Sequence, residues 1–363
     1  MGYLGRTPTP SPIDASDIPA NSIDASKIID GAIAVADVAD NAITEAKIAD
    51  AAVVSLKSGR KNLIINGGFD VWQRGTTGTA QGYNSADRWY ISRGGGSPAV
   101  SITRETFATT ETDIKSKYYL QWVQSTGGTT PYIVQRVEEI KPLLGQEVTV
   151  SVWMKAASAV TIDLDVYIDY GDAQATTLDE NTSFSVTTSW QKFQHTFTIS
   201  SGGTVAANSN LEVRFSPPDS NTITTYFAEA QLEYGSTATD FEHRSYGEEL
   251  ALCQRYYVNA GFGGNDGAVV SAGRDEQYLH VRVAPTRFPV TMRTTPTVAI
   301  QSSSPNCMDR YGRGQETCYP VAEGVSPDGF QGVVKKDSGG SSANWTDSGL
   351  YINRAGYKAE AEL

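Results

Sequence analysis

The sequence is poor in the residues that carry most nucleophilic, acid–base and metal chemistry. Its 363 residues include three histidines and three cysteines. No His-Glu-x-x-His, Cys-x-x-Cys or Gly-x-Ser-x-Gly pattern joins them, so the common signatures of zinc proteases, zinc or redox pairs and serine hydrolases are missing. His195 falls inside an expected strand and reads as a sheet-surface residue, and nothing in the sequence pairs His243 or His280 with a nucleophile. Cys307 and Cys318 lack the spacing and neighbours of a zinc site. With Cys253 they make an odd set and no secretory signal accompanies them, which reads as reduced thiols. No run approaches the roughly 18–20 apolar residues of a membrane span, so no membrane insertion is expected. Met1–Arg6 lacks the basic start and apolar core of a secretory signal, and Arg6 stands where myristoylation needs Ser or Thr. The expectation is synthesis in a cytosol and release by a route such as lysis.

Charge is also sparse, at 19% of residues, and its balance is acidic, with a net charge of -12 and a pI near 4.8. Such a chain repels polyanions, which argues against nucleic acid as a partner. Glycine (34), tyrosine (18), threonine and serine are plentiful instead. That mixture suits β-sandwiches with many turns better than helical bundles.

The most regular feature is a repeat. From Ile13 an aliphatic residue falls every fifth position: Ile13, Ile18, Ile23, Ile28, Ile33, Val38, Ile43, Ile48 and Val53. Ala, Asp, Ser, Asn and Gly fill the intervals, so the repeating unit is about ten residues. A spacing of five fits neither a helix nor a strand alone. Isolated aliphatics cannot close a core within one chain, but rings of Ile and Val from several chains can share an axis. The alternative is an Ala/Asp-rich disordered linker, against which the strict register argues. Ahead of the repeat, Thr7-Pro-Thr-Pro-Ser-Pro12 is stiff and extended.

Residues 58–62 mark a boundary. Beyond it, alternating apolar and polar residues predict strands over 88–93, 118–124, 132–138, 147–155, 160–169, 183–198, 211–215 and 224–233. With the opening run from Asn62 they make about nine strands in roughly 180 residues, which suggests a two-sheet jelly roll. Leu250, Cys253 and Tyr257 at helical spacing, with Glu248 and Glu249 near the start, predict the one helix. After it, short strands over 267–272, 277–284, 297–301, 328–335 and 348–353 predict a smaller, Gly-rich β-domain.

Two resemblances accompany these readings. Asp-Asn-Ala-Ile-Thr-Glu-Ala-Lys-Ile-Ala-Asp at 40–50 resembles stalk repeats of bacteriophage tail fibres, which are typically homotrimers. Ala86-Asp-Arg-Trp89, Phe227-Ala-Glu-Ala-Gln-Leu-Glu-Tyr-Gly235 and the stretch from Phe241 to Tyr257 are similar to fibre proteins of the same kind. Asn66-Gly-Gly-Phe-Asp70, Val150-Ser-Val-Trp-Met-Lys155 and Ser189-Trp-Gln-Lys-Phe-Gln-His-Thr-Phe197 resemble jelly-roll carbohydrate-binding modules over about 62–240. Together they imply a mainly β chain in four parts: a virion-docking segment (1–12), a trimeric stalk (13–60), a jelly-roll carbohydrate-binding-like domain (61–245), and a helical connector with a C-terminal β tip (246–363).

The function implied is a homotrimeric virion fibre that attaches the particle to host surface polysaccharide. Its N-terminus would meet a tail or baseplate protein, and its location would be the virion after synthesis in the host cytoplasm. The alternative is a structural or decorating fibre with no receptor site. An enzyme is not expected: depolymerase spikes carry a long parallel β-helix, and no such repeat follows residue 60. A free bacterial sugar-binding protein would normally show a secretion signal. No cofactor is expected beyond a structural calcium, which the resemblance implies at Asp70 and Glu229, although the Asp-Asp-Val of many relatives is absent here.

Sugar binding calls for flat aromatic rings beside hydroxyl-binding polar groups. Trp72, Trp153 and Trp190 occupy strand or motif positions and are expected in the core. Trp345, between Ser/Gly-rich turns, is the expected exposed ring, with Tyr351 and Tyr357 near it in sequence. Asp163, Asp165 and Asp169 share one strand face. Paired acids can serve a glycosidase or a hard cation, but a solvated strand face over an aliphatic interior is the simpler reading.

Overall fold

In a computed structural model of the chain, described residues run from 61 to 362 except 96–98, 109–110, 112, 128–129, 173, 220–221, 261–267, 271–273, 276–279, 303–305, 310–315, 337–349 and 353–354. The repeat and its nine aliphatics therefore lie outside the described residues. The chain divides into two compact units, Met1–Val53 and Val54–Leu363, and the described residues all belong to the second.

The larger part of that unit is a jelly-roll sandwich of eleven strands, all paired antiparallel. A six-stranded sheet runs in the order β1 (Thr77–Gly78), β3 (Val100–Thr106), β4 (Tyr118–Gln124), β11 (Ile223–Tyr234), β6 (Glu147–Ala156) and β9 (Gln191–Thr198). A five-stranded sheet runs β2 (Trp89–Ser92), β5 (Tyr132–Glu138), β10 (Asn210–Ser216), β7 (Val160–Asp169) and β8 (Thr177–Val186). The sequence pattern predicts β4, β5 and β7 with their bounds intact. The run expected over 183–198 is two strands joined by a turn at 187–190, so β8 and β9 belong to different sheets.

Alternation explains the core. Ile162, Leu164, Val166 and Ile168 of β7 point inward with Leu211, Val213 and Phe215 of β10, and meet Val148, Val150, Val152 and Met154 of β6. Trp89 and Trp122 are fully buried there. Trp72 is buried as expected, but Trp153 and Trp190 are only half-buried. The parity of β6 that turns Met154 inward turns Trp153 to the outer face of the six-stranded sheet.

The Asn66-Gly-Gly-Phe69 turn fixes the opening of the sandwich. Asn66 is buried and satisfied on both sides of its amide: Nδ2 donates to the carbonyls of Val71 (2.8 Å) and Asp87 (2.9 Å), and Oδ1 accepts the Val71 N–H (2.9 Å). The Trp89 indole donates to the Asn66 carbonyl at 3.0 Å. Gly67 lies against β11, where a Cβ would stand 2.0 Å from the Ala230 carbonyl oxygen. Opposite it β11 bulges between Ala228 and Gln231, with Glu229 in the left-handed region at φ 48.

After the sandwich comes α1 (Tyr246–Gln254), closed at its N-terminus by a Ser245/Glu248 capping box. The smaller sheets use β12 (Tyr257–Ala260), β13 (Ala268–Val270), β14 (Arg274–Asp275), β15 (His280–Arg287), β16 (Thr297–Ser302), β17 (Asn306–Asp309), β18 (Glu316–Ser326), β19 (Gly329–Lys336), β20 (Leu350–Ile352) and β21 (Ala355–Glu360). Three form a sheet ordered β12, β21, β16, and seven form one ordered β13, β20, β17, β18, β19, β15, β14. Val258, Phe288, Met292, Phe330, Ala359 and Ala361 make a second core.

The sandwich is tied to this second part by buried polar groups. Arg88, 1% exposed, stacks on Tyr256 at 3.4 Å and is ion-paired to Glu362, which Arg74 also reaches at 3.1 Å. Gln73 donates to the Tyr257 carbonyl (2.8 Å) and to Asp87. Burial pushes the Asp87 carboxyl up to about 6, against the opposing charge of Arg74 and the hydrogen bonds from Gln73. Cys253 is a free, fully buried thiol, pushed well up by that burial and by the nearby Asp87 and Glu249.

Gly67→Ala drives a methyl into the Ala230 carbonyl and is expected to cost about 3 kcal/mol or more in urea unfolding, whereas Gly75→Ala, which meets no neighbour but keeps a positive φ, costs about 1 kcal/mol. The raised Asp87 pKa means that the native state holds its proton more tightly than the unfolded chain. Its contribution is therefore present at low pH and lost as pH rises from the ordinary carboxylate value toward 6. The stability of the wild type relative to Asp87→Asn should fall by on the order of 2–3 kcal/mol between pH 4 and 6.5 and stay flat above.

Candidate functional site

The outer face of the five-stranded sheet is organised in rows set by strand register. One row runs Tyr90, Val134, Arg214, Asp165, Asn181 across β2, β5, β10, β7 and β8. The next runs Arg136, Glu212, Tyr167, Leu178. Beside the first row lie the pairs Ser92–Tyr132, Ser216–Asp163 and Asp163–Ser183. Each residue is there because its neighbours in sequence are committed to the core.

Glu212 is the centre of this face. It is 4% exposed. Its carboxylate accepts from Arg136 Nε at 2.7 Å on one side and from Arg214 Nε at 2.7 Å on the other. Burial works against its charge, yet the hydrogen bonds and charges of Arg136 and Arg214 prevail and hold it below the usual carboxylate range. The guanidiniums are held in turn by aromatic rings. Arg214 lies 3.7 Å from the centre of Tyr167 and 4.6 Å from that of Tyr132. Arg136 lies 5.1 Å from Tyr90 and donates to the Tyr83 hydroxyl at 3.2 Å. Tyr83 meets Tyr90 edge-on at 5.2 Å.

Toward β8 the face turns acidic. Asp163 accepts from the Ser183 hydroxyl at 2.6 Å, and Asp165 accepts from Asn181 Nδ2 at 2.5 Å and the Ser216 hydroxyl at 2.9 Å. Asp169 accepts the Gly171 N–H and, at 3.2 Å, Asn210 Nδ2. These acids have hydroxyl and amide partners. The whole face offers half-buried tyrosine rings, two oriented guanidiniums, and carboxylates already bonded to O–H and N–H donors. Rings suit the apolar faces of sugars, and forked donors beside acceptors suit neighbouring hydroxyls.

The residues singled out from sequence fare differently. Trp345 lies outside the described residues. Tyr351 sits in β20, paired with Val269 and Met308, and only its backbone is described. Tyr357, in β21, packs its ring against Phe330 (5.1 Å) and Phe288 (5.9 Å) in the second core, which leaves one side of the ring unavailable to a ligand.

Asp70 and Glu229 both lie near His243, but their surroundings do not fit a hard cation. Glu229 Oε1 accepts the N–H groups of Lys115 (2.7 Å) and Ser116 (2.8 Å) and stands 3.7 Å from His243 Nε2. Burial raises the Asp70 pKa, and the charges that oppose it come from His243, Lys117 and Arg104. Glu229 Oε1 is already committed to two amide donors, and Lys117, Arg104 and His243 stand near Asp70, surroundings unlike the oxygen cage that calcium takes. Among the described residues no cluster of three or more His, Cys, Asp or Glu is placed to hold a metal ion.

Sequence reasoning finds the row of Asp163, Asp165 and Asp169 but misses Tyr90, Tyr132, Tyr167, Arg136, Glu212 and Arg214. The alternation of β7 and β10 marks Tyr167, Glu212 and Arg214 as outward, whereas β5, with Val134 outside and Gln135 inside, shows no such parity. What alternation cannot supply is the register that makes Glu212 the neighbour of both Arg136 and Tyr167.

Residues 61–221 match a family model described as "Carbohydrate binding domain". Among solved structures, the chain is similar to one described as "CBM4 structure and function", with 18% identity, a TM-score of 0.34, and coverage of 47% of this chain and 98% of that one. It is similar to a putative sugar binding protein from Bacteroides thetaiotaomicron VPI-5482, with 12% identity, a TM-score of 0.36 and coverage of 48% and 100%. It is also similar to the enzymatically active domain of tailspike protein 4 of bacteriophage CBA120, with 11% identity and a TM-score of 0.34, where the match spans 48% of this chain but only 21% of the tailspike domain. No curated protein matches the sequence.

Glu212→Gln keeps the shape of the side chain but leaves two guanidiniums without their counter-charge. It is expected to lower stability by about 3–5 kcal/mol. A depressed acid stabilises above the ordinary carboxylate range and loses that contribution as pH falls through its native pKa. The gap between wild type and Glu212→Gln in urea unfolding should therefore be full at pH 6 and narrow below about pH 4.

Proposed function

We propose that the chain is a homotrimeric phage virion fibre that attaches the particle to host surface polysaccharide. In this reading the sugar lies on the outer face of the five-stranded sheet. The observation that carries it is the Arg136–Glu212–Arg214 cluster among Tyr83, Tyr90, Tyr132 and Tyr167, within the span that matches the carbohydrate-binding family. The parts of Tyr167 and Tyr132 that Arg214 leaves uncovered meet the sugar's apolar side. Arg214, Asp165 and Asn181, in one row, take its hydroxyls. The five-residue repeat of Ile and Val supports the fibre part of the reading, since such spacing suits a shared axis between chains. The first dozen residues would grip a tail or baseplate protein, and the assembled protein would reside on the virion.

The chemistry assigned to the face is binding. No hydrolysis is assigned to Asp163, Asp165 or Asp169, because each is bonded to a hydroxyl or amide donor of its own sheet. One open face gives modest affinity, and three held on one stalk gain about 10²–10⁴ in avidity.

Three measurements test this. Light scattering on the full chain should give a mass near three times 39.0 kDa, falling to a single chain when residues 1–60 are removed. A monomer in both cases would overturn the fibre. On arrays of host polysaccharide, Arg214→Ala and Tyr167→Ala should each weaken binding by about tenfold or more. Unchanged binding would move the sugar elsewhere. A trimer that binds no host polysaccharide, and whose loss leaves adsorption intact, would favour the structural fibre instead.

A further inference from the structure

The opposite side of the sandwich carries a second concentration of aromatic rings, which the proposed polysaccharide face leaves unused. The turn between β8 and β9 folds Trp190 over the outer face of the six-stranded sheet. There its ring meets Phe107 at 5.2 Å, Tyr119 at 5.5 Å and Tyr226 at 6.3 Å. Lys155, paired in register with Tyr226, holds its ammonium 5.1 Å from Trp190 and 5.0 Å from Tyr226. A cleft of 340 Å³ opens beside them. Trp153 and Trp190 give it ring surface, Lys155 a donor, Glu111 and Asp113 exposed carboxylates, and Thr188 and Ser189 hydroxyls at the rim.

These contacts pin Trp190 without burying it, and the cause is visible in the turn. Thr187 Oγ1 donates to Gln191 at 3.0 Å and accepts the Ser189 N–H at 3.3 Å, which fixes the chain that bears the ring. A ring fixed before binding loses little freedom on binding. The cleft is also of a different kind from the open face. Its volume is near the lower end of the roughly 300–1,000 Å³ of small-molecule sites, so it takes one or two sugar rings, where the open face takes a length of chain. Its charge is one cation against two carboxylates, within a chain of net charge -12. That balance repels uronic acids and other acidic sugars.

We infer that this cleft is a second saccharide site, separate from the five-stranded face. It takes a short neutral or amino-sugar end, stacks it on Trp153 and Trp190, and rejects acidic sugars through Glu111 and Asp113. The site stands on its own geometry and does not require the first face to bind.

The test uses the full chain labelled with 5-fluorotryptophan, whose six tryptophans give fluorine signals assigned for this site by Trp153→Phe and Trp190→Phe. Cellotriose, galactotriose, chitosan trimer and trigalacturonate are the probes. The Trp153 and Trp190 signals are expected to move saturably with at least one of the first three and to stay still with trigalacturonate. The exposed double variant Glu111→Lys/Asp113→Lys should admit trigalacturonate, with the other tryptophan signals in place as proof of folding. Arg214→Ala should leave the two signals' response intact, which separates this site from the opposite face. The proposal is overturned if no probe moves them, if trigalacturonate moves them equally in the wild type, or if Arg214→Ala abolishes the response. Movement on dilution alone would assign the cleft to contact with a second copy of the chain and overturn it too.

Discussion

One carboxylate sets the character of the five-stranded face. Glu212 is nearly out of contact with water, and an acid so placed is tolerated only when its charge is met on the spot. Arg136 and Arg214 meet it from the neighbouring strand and from its own, and each guanidinium then needs a surface of its own. Tyr90 and Tyr83 supply one, and Tyr132 and Tyr167 supply the other. The result is an ordered polar layer in which the direction of every donor is fixed before any ligand arrives. Without Glu212 the two cations would repel across the strand, and the tyrosines that now stack on them would lose their reason to stand where they do.

The same logic, a buried charge answered by a stacked ring, joins the sandwich to the rest of the second unit. Arg88 is fully inside, between Tyr256 and Glu362, and also donates to the Arg136 carbonyl at 2.7 Å. The backbone of a residue in the five-stranded face is thus bonded to a side chain whose partners lie beyond the helix. Arg244 plays a comparable part at the other end of α1, reaching the carbonyls of Asn62 and Ile64 and the carboxylates of Glu242 and Glu249. Both arginines lie at joints between elements. There, apolar packing alone would leave backbone carbonyls bare, and a forked cation can serve several of them at once.

Much of the sandwich is legible in the sequence because alternation is a local property. β4, β5 and β7 stand where the pattern of their own residues predicts them, and the start of the helix is marked by Glu248 and Glu249, while its Ser245/Glu248 capping box lies outside the sequence reading. β1, β3, β12, β14, β17, β18 and β21 also escape that reading, and Tyr257, expected at helical spacing, instead opens β12 after the helix ends at Gln254. β3 (Val100–Thr106) alternates only weakly, and β18 contains Pro320 and Gly324, residues that ordinarily punctuate strands. The single run expected over 183–198 fails because Thr187–Trp190 continues a β-like composition through a turn. Trp190 is misplaced in the core for the same reason, since a tryptophan in a motif position looks buried until the turn is known to fold outward. The Asn66-Gly-Gly-Phe motif is visible as a resemblance. Its physical cause is partly local, in the Asn66 amide's two bonds to Val71, but the bond to the Asp87 carbonyl and the approach of Gly67 to Ala230 join distant segments that no short window contains.

The two outer faces differ in a way that bears on attachment. A jelly roll spends the inner face of each sheet on its core, so recognition by a sheet must use an outer face, and those are shallow. On the five-stranded side the residues stand in ordered rows, and the guanidiniums already cover part of the tyrosine surface. On the six-stranded side, Trp190 meets Phe107, Tyr119 and Tyr226 beside a cleft, with the Lys155 ammonium over its ring. A face without deep pockets gains little per contact and exchanges quickly. In the fibre reading that weakness is compatible with firm attachment, because copies gathered on one axis act together. It also lets a particle release one contact and make another on the same surface. In that reading the aliphatic every fifth residue and the shallow, pre-ordered face belong together: the repeat would supply the multiplicity that the face lacks in depth.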